Sequence, residues 1–215
     1  QRRDFTINAI AYNVRTRKYI DPLKGRADIK RKLIRMISEK SFHDDPLRML
    51  RAVQFSARLR FRIEPQTLAA IKNNAGLVVT IAPERVQEEL NKLLTKSRQP
   101  SRGFKLMLDT GLLKCLISEL AAGDKIAQNV FHKYDVLEHN LYTCDAAPAD
   151  NLPVRLAALF HDLGKVAQKK NITDKRGSRI IFYEHEKVSA ELANSILQRL
   201  RYARQTAQRV VHLIK

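Results

Sequence analysis

The stretch Ser41–Arg60, SFHDDPLRMLRAVQFSARLR, constrains this chain more than any other. Asp45 precedes Pro46, a capping residue followed by one whose fixed φ suits a first helical turn. Leu47, Leu50, Val53 and Ala57 recur at helical spacing, so one capped helix is predicted, with that face in a core. Asp45 and Arg48 lie three apart and share another face of the first turn, and Arg51 follows one turn on. A carboxylate accepts hydrogen bonds and a guanidinium donates them in a planar fork. Together they offer the edge that reads a nucleobase such as adenine or cytosine, amino group to Asp45 and ring nitrogen to Arg48. Taken alone, the same residues also read as an N-cap and a surface charge.

The flanking composition favours the first reading. The formal net charge is +18, from 40 Lys and Arg against 22 Asp and Glu, which points to a polyanionic partner, nucleic acid before anionic membrane. With 215 residues, 44% hydrophobic content and only 7 Gly and 7 Pro, the chain can bury a real core and predicts a mainly helical globular fold. No apolar run is long enough to span a bilayer. Cys115 and Cys144 lie far apart, which suits a reducing, cytoplasmic setting and gives no metal-type pattern. The sequence opens at Gln1, without Met and inside a charged motif, so residues upstream are expected to be missing.

In chain order, Gln1–Asn13 carries Arg2, Arg3 and Asp4 and then turns apolar, with a period ambiguous between strand and helix. The guanidinium groups suit phosphate oxygens, and Asn8 would share the face of Asp4 if the segment is helical. A solvated basic terminus is the plainer alternative. A short strand is predicted over Lys18–Asp21, turns at Asp21-Pro22 and near Gly25, and a second strand over Leu33–Ile37. Helices are predicted over Gln66–Ala75, Pro83–Leu94, Ser101–Gly111 and Leu112–Leu120.

The motifs RRDFTINAIAYN, DPLKGRADIKRKLIR, DDPLRMLRAVQFSARLRFRIEP and APERVQEELNKLL, in this order, resemble the bacterial-type (class II) tRNA nucleotidyltransferase and poly(A) polymerase family. The resemblance implies sugar and phosphate contacts for Arg3, Asp4 and Asn8, base reading by Asp45 and Arg48 with Arg51 beside them, and support from Asp44, Glu84 and Arg85. Asp44 stands where the family usually has Glu. It further implies ATP and CTP as substrates, tRNA as partner and Mg²⁺ as cofactor. The family's catalytic carboxylates and Gly-rich phosphate loop are expected upstream of Gln1, so this stretch alone is expected not to catalyse transfer.

From about Asp124 a second unit is predicted. Helices are expected over Phe131–Asp145, Leu152–Lys165, Glu184–Arg201 and Arg204–Leu213, with an extended segment at Arg179–Tyr183. His139, the run His161-Asp162-Leu163-Gly164-Lys165 and Glu184-His185-Glu186 resemble the HD phosphohydrolase superfamily. That resemblance implies a divalent metal held by His139, His161, Asp162 and His185, activating water against a phosphoester. The superfamily's last metal-binding Asp has no clear match. His43, His132 and His212 read as ordinary core or surface residues.

The fold expected is therefore mainly α: part of a small α/β nucleotidyltransferase head at 1–38, a helical neck and RNA- and nucleotide-binding region at 39–123, and a helical HD domain at 124–215. Three functions compete: tRNA 3′-end nucleotidyl transfer, or poly(A) synthesis by the same motifs; an HD phosphohydrolase acting on RNA ends; and a non-catalytic RNA-binding module.

Overall fold

Short β-pairings punctuate an otherwise helical chain. The structure, a computed structural model, describes residues 3–128, 133–174 and 177–215. The N-terminal segment resolves its ambiguous period as a 3₁₀ turn, Thr6–Asn8, followed by a hairpin of β1 (Ala11–Asn13) and β2 (Lys18–Ile20). A short helix, α1 (Gly25–Lys30), stands where only a turn was expected. Gly25 makes room for it, because a Cβ there would lie 2.2 Å from the Thr6 carbonyl oxygen. The second expected strand is shorter than its pattern. β3 is only Leu33–Ile34, while Met36 makes a single bridge to Phe5. β3 pairs in parallel with β4 (Arg62–Ile63), so the intervening chain returns to its own start.

That intervening chain is two helices, not the one expected: α2 (Lys40–Asp44) and α3 (Leu47–Leu59). The break is at Asp45, extended at φ −153°, ψ 97°. Proline crowds the backbone of the residue before it and disfavours the helical conformation there. Pro46 therefore takes the N-cap position, while Asp45 Oδ1 accepts a bond from the Leu47 amide at 3.3 Å. Leu47, Leu50, Val53 and Ala57 are all buried, as their spacing requires.

α4 (Pro65–Asn74) is capped by Glu64, which accepts from the Thr67 amide at 2.7 Å and its hydroxyl at 2.8 Å. α5 (Pro83–Lys96) and α6 (Ser101–Asp109) follow. Ile117, at φ −139°, divides the single helix expected next into α7 (Leu112–Leu116) and α8 (Ser118–Ala121). α9 (Val136–Ala146) starts later than its pattern, behind the cap Asp135, whose carboxylate accepts from the Glu138 amide at 2.7 Å. Phe131 and His132 lie outside the described residues. α10 (Leu152–Phe160) stops before His161, and the motif residues run through a turn into α11 (Lys165–Gln168). A hairpin of β5 (Lys169–Asp174) and β6 (Gly177–Phe182) leads to α12 (His185–Arg199) and α13 (Arg204–Ile214). Only its second strand was visible in the sequence pattern.

One hydrophobic core runs from Phe5 and Phe42 through Leu93 and Phe104 to Leu141, Phe160 and Val210. Polar bonds join the halves as well. Arg155 of α10, only 2% exposed, donates to the carbonyls of Leu94, Ser97 and Ala147 and so closes the C-terminal end of α5. Asp145 of α9 accepts from the Ser101 amide at 2.9 Å and caps α6. Tyr202 donates to Asn91 Oδ1 of α5 at 2.6 Å. No helix among the described residues is long and apolar enough to cross a membrane.

Candidate nucleotide-binding and metal-binding sites

An open cleft of about 440 Å³ lies between the N-terminal 3₁₀ segment, α3 and the start of α5. Arg3, Asp4, Asn8, Asp45, Leu47, Arg48, Arg51, Phe55 and Arg85 line it. Six of these are the residues singled out for nucleotide contact, brought together from positions up to 48 apart in sequence. Asp44 lines a smaller recess of about 230 Å³ that shares Arg3 and Arg48 with the main cleft. Glu84 is exposed in the first turn of α5 and lines neither.

Asp4 is the anchor of the N-terminal wall. Its Oδ1 accepts from the Phe5 amide at 2.8 Å and from Asn8 Nδ2 at 2.9 Å, so the two share a face although the turn between them is 3₁₀. Its Oδ2 accepts from Arg51 Nε at 2.9 Å and lies 2.8 Å from Nη2. Burial pushes the Asp4 carboxyl up, but the bonds from Asn8 and Arg51 outweigh it and hold the group below the usual carboxylate range. Arg51 also reaches Glu89 of α5 at 3.5 Å, and Lys92 pairs with the same Glu89 oxygen at 2.9 Å. Sequence spacing placed Arg51 beside Arg48. The structure turns its guanidinium to two carboxylates, making it a strut between the N-terminal segment, α3 and α5.

The opposite wall carries Asp45 and Arg48. Their side chains do not bond each other, although the Arg48 amide donates to the Asp45 carbonyl at 3.1 Å. Arg85 Nη2 donates to Asp45 Oδ2 at 2.9 Å, and Arg48 Nη1 donates to the Ser41 hydroxyl at 2.8 Å and carbonyl at 3.2 Å. Each carboxylate oxygen can accept twice and each guanidinium has five N–H donors, so both side chains keep capacity for a ligand. Phe55 gives the cleft an apolar flank, and the Arg51 guanidinium sits 5.2 Å from its ring centre. Neither Phe55 nor Glu89 was foreseen.

A second cluster forms in the C-terminal half. His139 comes from α9, His161 and Asp162 from the turn after α10, and His185 opens α12. Ligand atoms of His139, His161 and Asp162 lie within 4.8 Å of one another. The Nε2 atoms of His139 and His161 are 3.2 Å apart, and lie 3.4 and 3.3 Å from Asp162 Oδ2. His185 Nε2 approaches Asp162 Oδ1 at 3.3 Å. The Nδ1 atoms of His161 and His185 each sit 2.8 Å from a backbone carbonyl, of Ala158 and Phe182. That contact favours the tautomer with Nδ1 protonated and leaves Nε2 as a ligand facing inward. Asp162 is buried, which alone would raise its carboxyl; His161 and Lys165 outweigh this and hold it well below the usual range. Lys165 Nζ bridges Asp162 Oδ2 and Gln128 Oε1, each at 2.7 Å. This imidazole and carboxylate set suits a divalent transition metal.

Gly164 explains how α12 comes so close. A Cβ there would lie 2.2 Å from the His185 carbonyl oxygen, and the Gly164 amide donates to the buried Ser189 hydroxyl at 2.9 Å. Gln128 and Ser189 were missed in the sequence. Lys165 was visible within its motif but without a partner.

Residues 1–35 match the family model of the poly A polymerase head domain, 60–123 that described as "Probable RNA and SrmB- binding site of polymerase A", and 123–215 the HD domain. The A-adding tRNA nucleotidyltransferase of Deinococcus radiodurans is 38% identical across 100% of this chain and 51% of its own length. The chain belongs to the bacterial-type tRNA nucleotidyltransferase and poly(A) polymerase family. The multifunctional CCA protein of Paraburkholderia phymatum is another relative, 36% identical over 93% of this chain and 49% of its own. The chain thus spans about half the length of the curated nucleotidyltransferases it matches. Among solved structures, a CCA-adding enzyme with CTP superimposes with a TM-score of 0.62 at 25% identity, covering 99% of this chain and 46% of that one. The Thermotoga maritima CCA-adding enzyme with tRNA shares the fold, at TM-score 0.63, 24% identity and coverage of 98% and 46%.

Proposed function

We propose that this chain is the base-selecting and RNA-binding portion of a nucleotidyltransferase that adds C, A or both to the 3′ end of tRNA in the cytoplasm. The observation that carries the proposal is the single cleft holding Arg3, Asp4, Asn8, Asp45 and Arg48. Asp45 accepts from the exocyclic amino group shared by cytosine and adenine, and Arg48 donates to the adjoining ring acceptor. Guanine and uracil present a carbonyl where Asp45 needs a donor, and two acceptors facing each other repel. Arg3 and Asn8 face the sugar and phosphates, and Asp4 fixes Asn8 in place. The 3′ hydroxyl of the RNA attacks the α-phosphorus of the bound nucleotide, and diphosphate leaves. The +18 formal charge supports a tRNA partner.

The cleft does not fit the Mg²⁺ that such transfer requires. Asp4 and Asp45 are each tied to an arginine, Arg51 and Arg85, so neither offers the free carboxylate a divalent ion needs. The division into a head portion at 1–38, a neck at 39–123 and an HD unit at 124–215 belongs to the same proposal.

The His139, His161 and Asp162 cluster favours a second activity in the same chain, hydrolysis of phosphoesters at RNA ends. The residues fit a divalent metal, with His185 as a further ligand, and the metal would supply an activated water. Lys165 balances the buried Asp162 carboxylate.

The test uses the natural protein that contains this chain. It is offered tRNA lacking its 3′ end, Mg²⁺, and each nucleoside triphosphate singly and in pairs. Addition of C or A with rejection of G and U is expected, and an unbounded A tail would instead mark a poly(A) polymerase. Absence of any addition would overturn the transferase reading. Mn²⁺-dependent release of phosphate from a 3′-phosphorylated RNA is expected of the HD cluster, and none with any divalent metal would overturn that activity.

A further inference from the structure

We infer that Ser41 is a specificity-determining positioning residue, which sets the geometry between Asp45 and Arg48. The inference rests on the base-reading role proposed for that pair. Ser41 is 2% exposed, in α2, and outside the motif that carries the two readers. Its hydroxyl accepts from Arg48 Nη1 at 2.8 Å, and its carbonyl accepts from the same nitrogen at 3.2 Å. The same carbonyl accepts the Asp45 amide at 3.2 Å. One buried residue therefore fixes the backbone of the acceptor and the side chain of the donor.

The need for such a device follows from the break in the helix. Asp45 is extended and sits between α2 and α3; the Arg48 amide donates to its carbonyl at 3.1 Å, which ties the two backbones but leaves the Arg48 side chain free to turn. A guanidinium on a flexible stem would otherwise sample many rotamers, and base discrimination would fall with the alignment of the edge. Two acceptors on one Nη1 pin the fork and leave Nε and Nη2 to the ligand. Ser41 touches no nucleotide in this account. It acts through Arg48.

Ser41→Ala keeps the carbonyl bonds and removes only the hydroxyl. A hydrogen bond to a charged group is stronger than a neutral one, and its loss lets the Arg48 fork drift, so about a tenfold loss in discrimination is expected. The assay is single-nucleotide addition by the natural protein containing this chain, as the ratio of kcat/KM for the accepted over the rejected triphosphate. The KM for tRNA should stay within about twofold and the melting temperature within a few degrees. Arg48→Ala and the Ser41→Ala, Arg48→Ala double variant complete the cycle. Ser41→Ala should add nothing to the discrimination loss once Arg48 is gone. Additive losses, or an unchanged ratio in Ser41→Ala while Arg48→Ala loses it, would overturn the role of Ser41 and leave base reading intact. An unchanged ratio in Arg48→Ala itself would overturn both.

Discussion

Arg85 Nη2 donates to Asp45 Oδ2 at 2.9 Å, across 40 residues of sequence. The bond ties the N-terminus of α5 to the break between α2 and α3, and it aims the proposed base acceptor into the cleft. Half of the Arg85 side chain is exposed, so the pair adds little to folding, under about 1 kcal/mol. Its effect belongs to the ligand. Arg85→Met should raise the KM for CTP and ATP severalfold while leaving the urea midpoint nearly unchanged. Equal KM values in variant and parent would show that Asp45 needs no such aim.

The Asp4–Arg51 pair predicts a pH signature. The Asp4 carboxyl is held below its ordinary value of 3.8 despite burial, by Asn8 and Arg51. A depressed carboxyl contributes stability that is present above the ordinary value and is lost as pH falls through the lowered one. Arg51→Met should therefore destabilise the protein by about 1–3 kcal/mol at neutral pH. The difference should shrink once pH falls below the ordinary carboxylate range. Urea titrations of both proteins across that range read it directly, and a penalty independent of pH would contradict the strut.

Much of this was legible in the sequence. Leu47, Leu50, Val53 and Ala57 gave the buried face of α3, and the helix expected to start at Pro83 is α5. What the pattern could not show was tertiary. The period of Leu47, Leu50, Val53 and Ala57 marks α3 but gives no sign of α2, the separate short helix that ends before the extended Asp45. Arg51 has the spacing of a partner for Arg48. Its true partners, Asp4 and Glu89, are 47 and 38 residues away and leave no periodic trace. β5 was missed because Lys169–Asp174, KKNITD, holds one apolar residue, Ile172, and so shows no alternating pattern. The histidine cluster was legible as motifs, whereas the Gly164–Ser189 contact that seats α12 was not.

Gly164 supplies a prediction for the metal cluster. His161→Ala should weaken Mn²⁺ binding to this chain by at least about tenfold in calorimetric titration, while His43→Ala, exposed and outside the cluster, should not. Gly164→Ala holds no ligand atom, yet its Cβ would lie 2.2 Å from the His185 carbonyl oxygen and push α12 away. It should also weaken Mn²⁺ binding. Unchanged affinity in His161→Ala would remove the cluster as the metal site.

The central claim is that Asp45 and Arg48 select the base. The most direct measurement compares nucleotide choice with tRNA affinity in Asp45→Ala, within the natural protein containing this chain. A base-reading pair contributes about 1–3 kcal/mol of discrimination. The ratio of C or A to G or U incorporation should therefore fall by about tenfold or more, with tRNA affinity within about twofold of the parent. Equal losses in nucleotide choice and tRNA affinity, or an unchanged ratio, would contradict the claim.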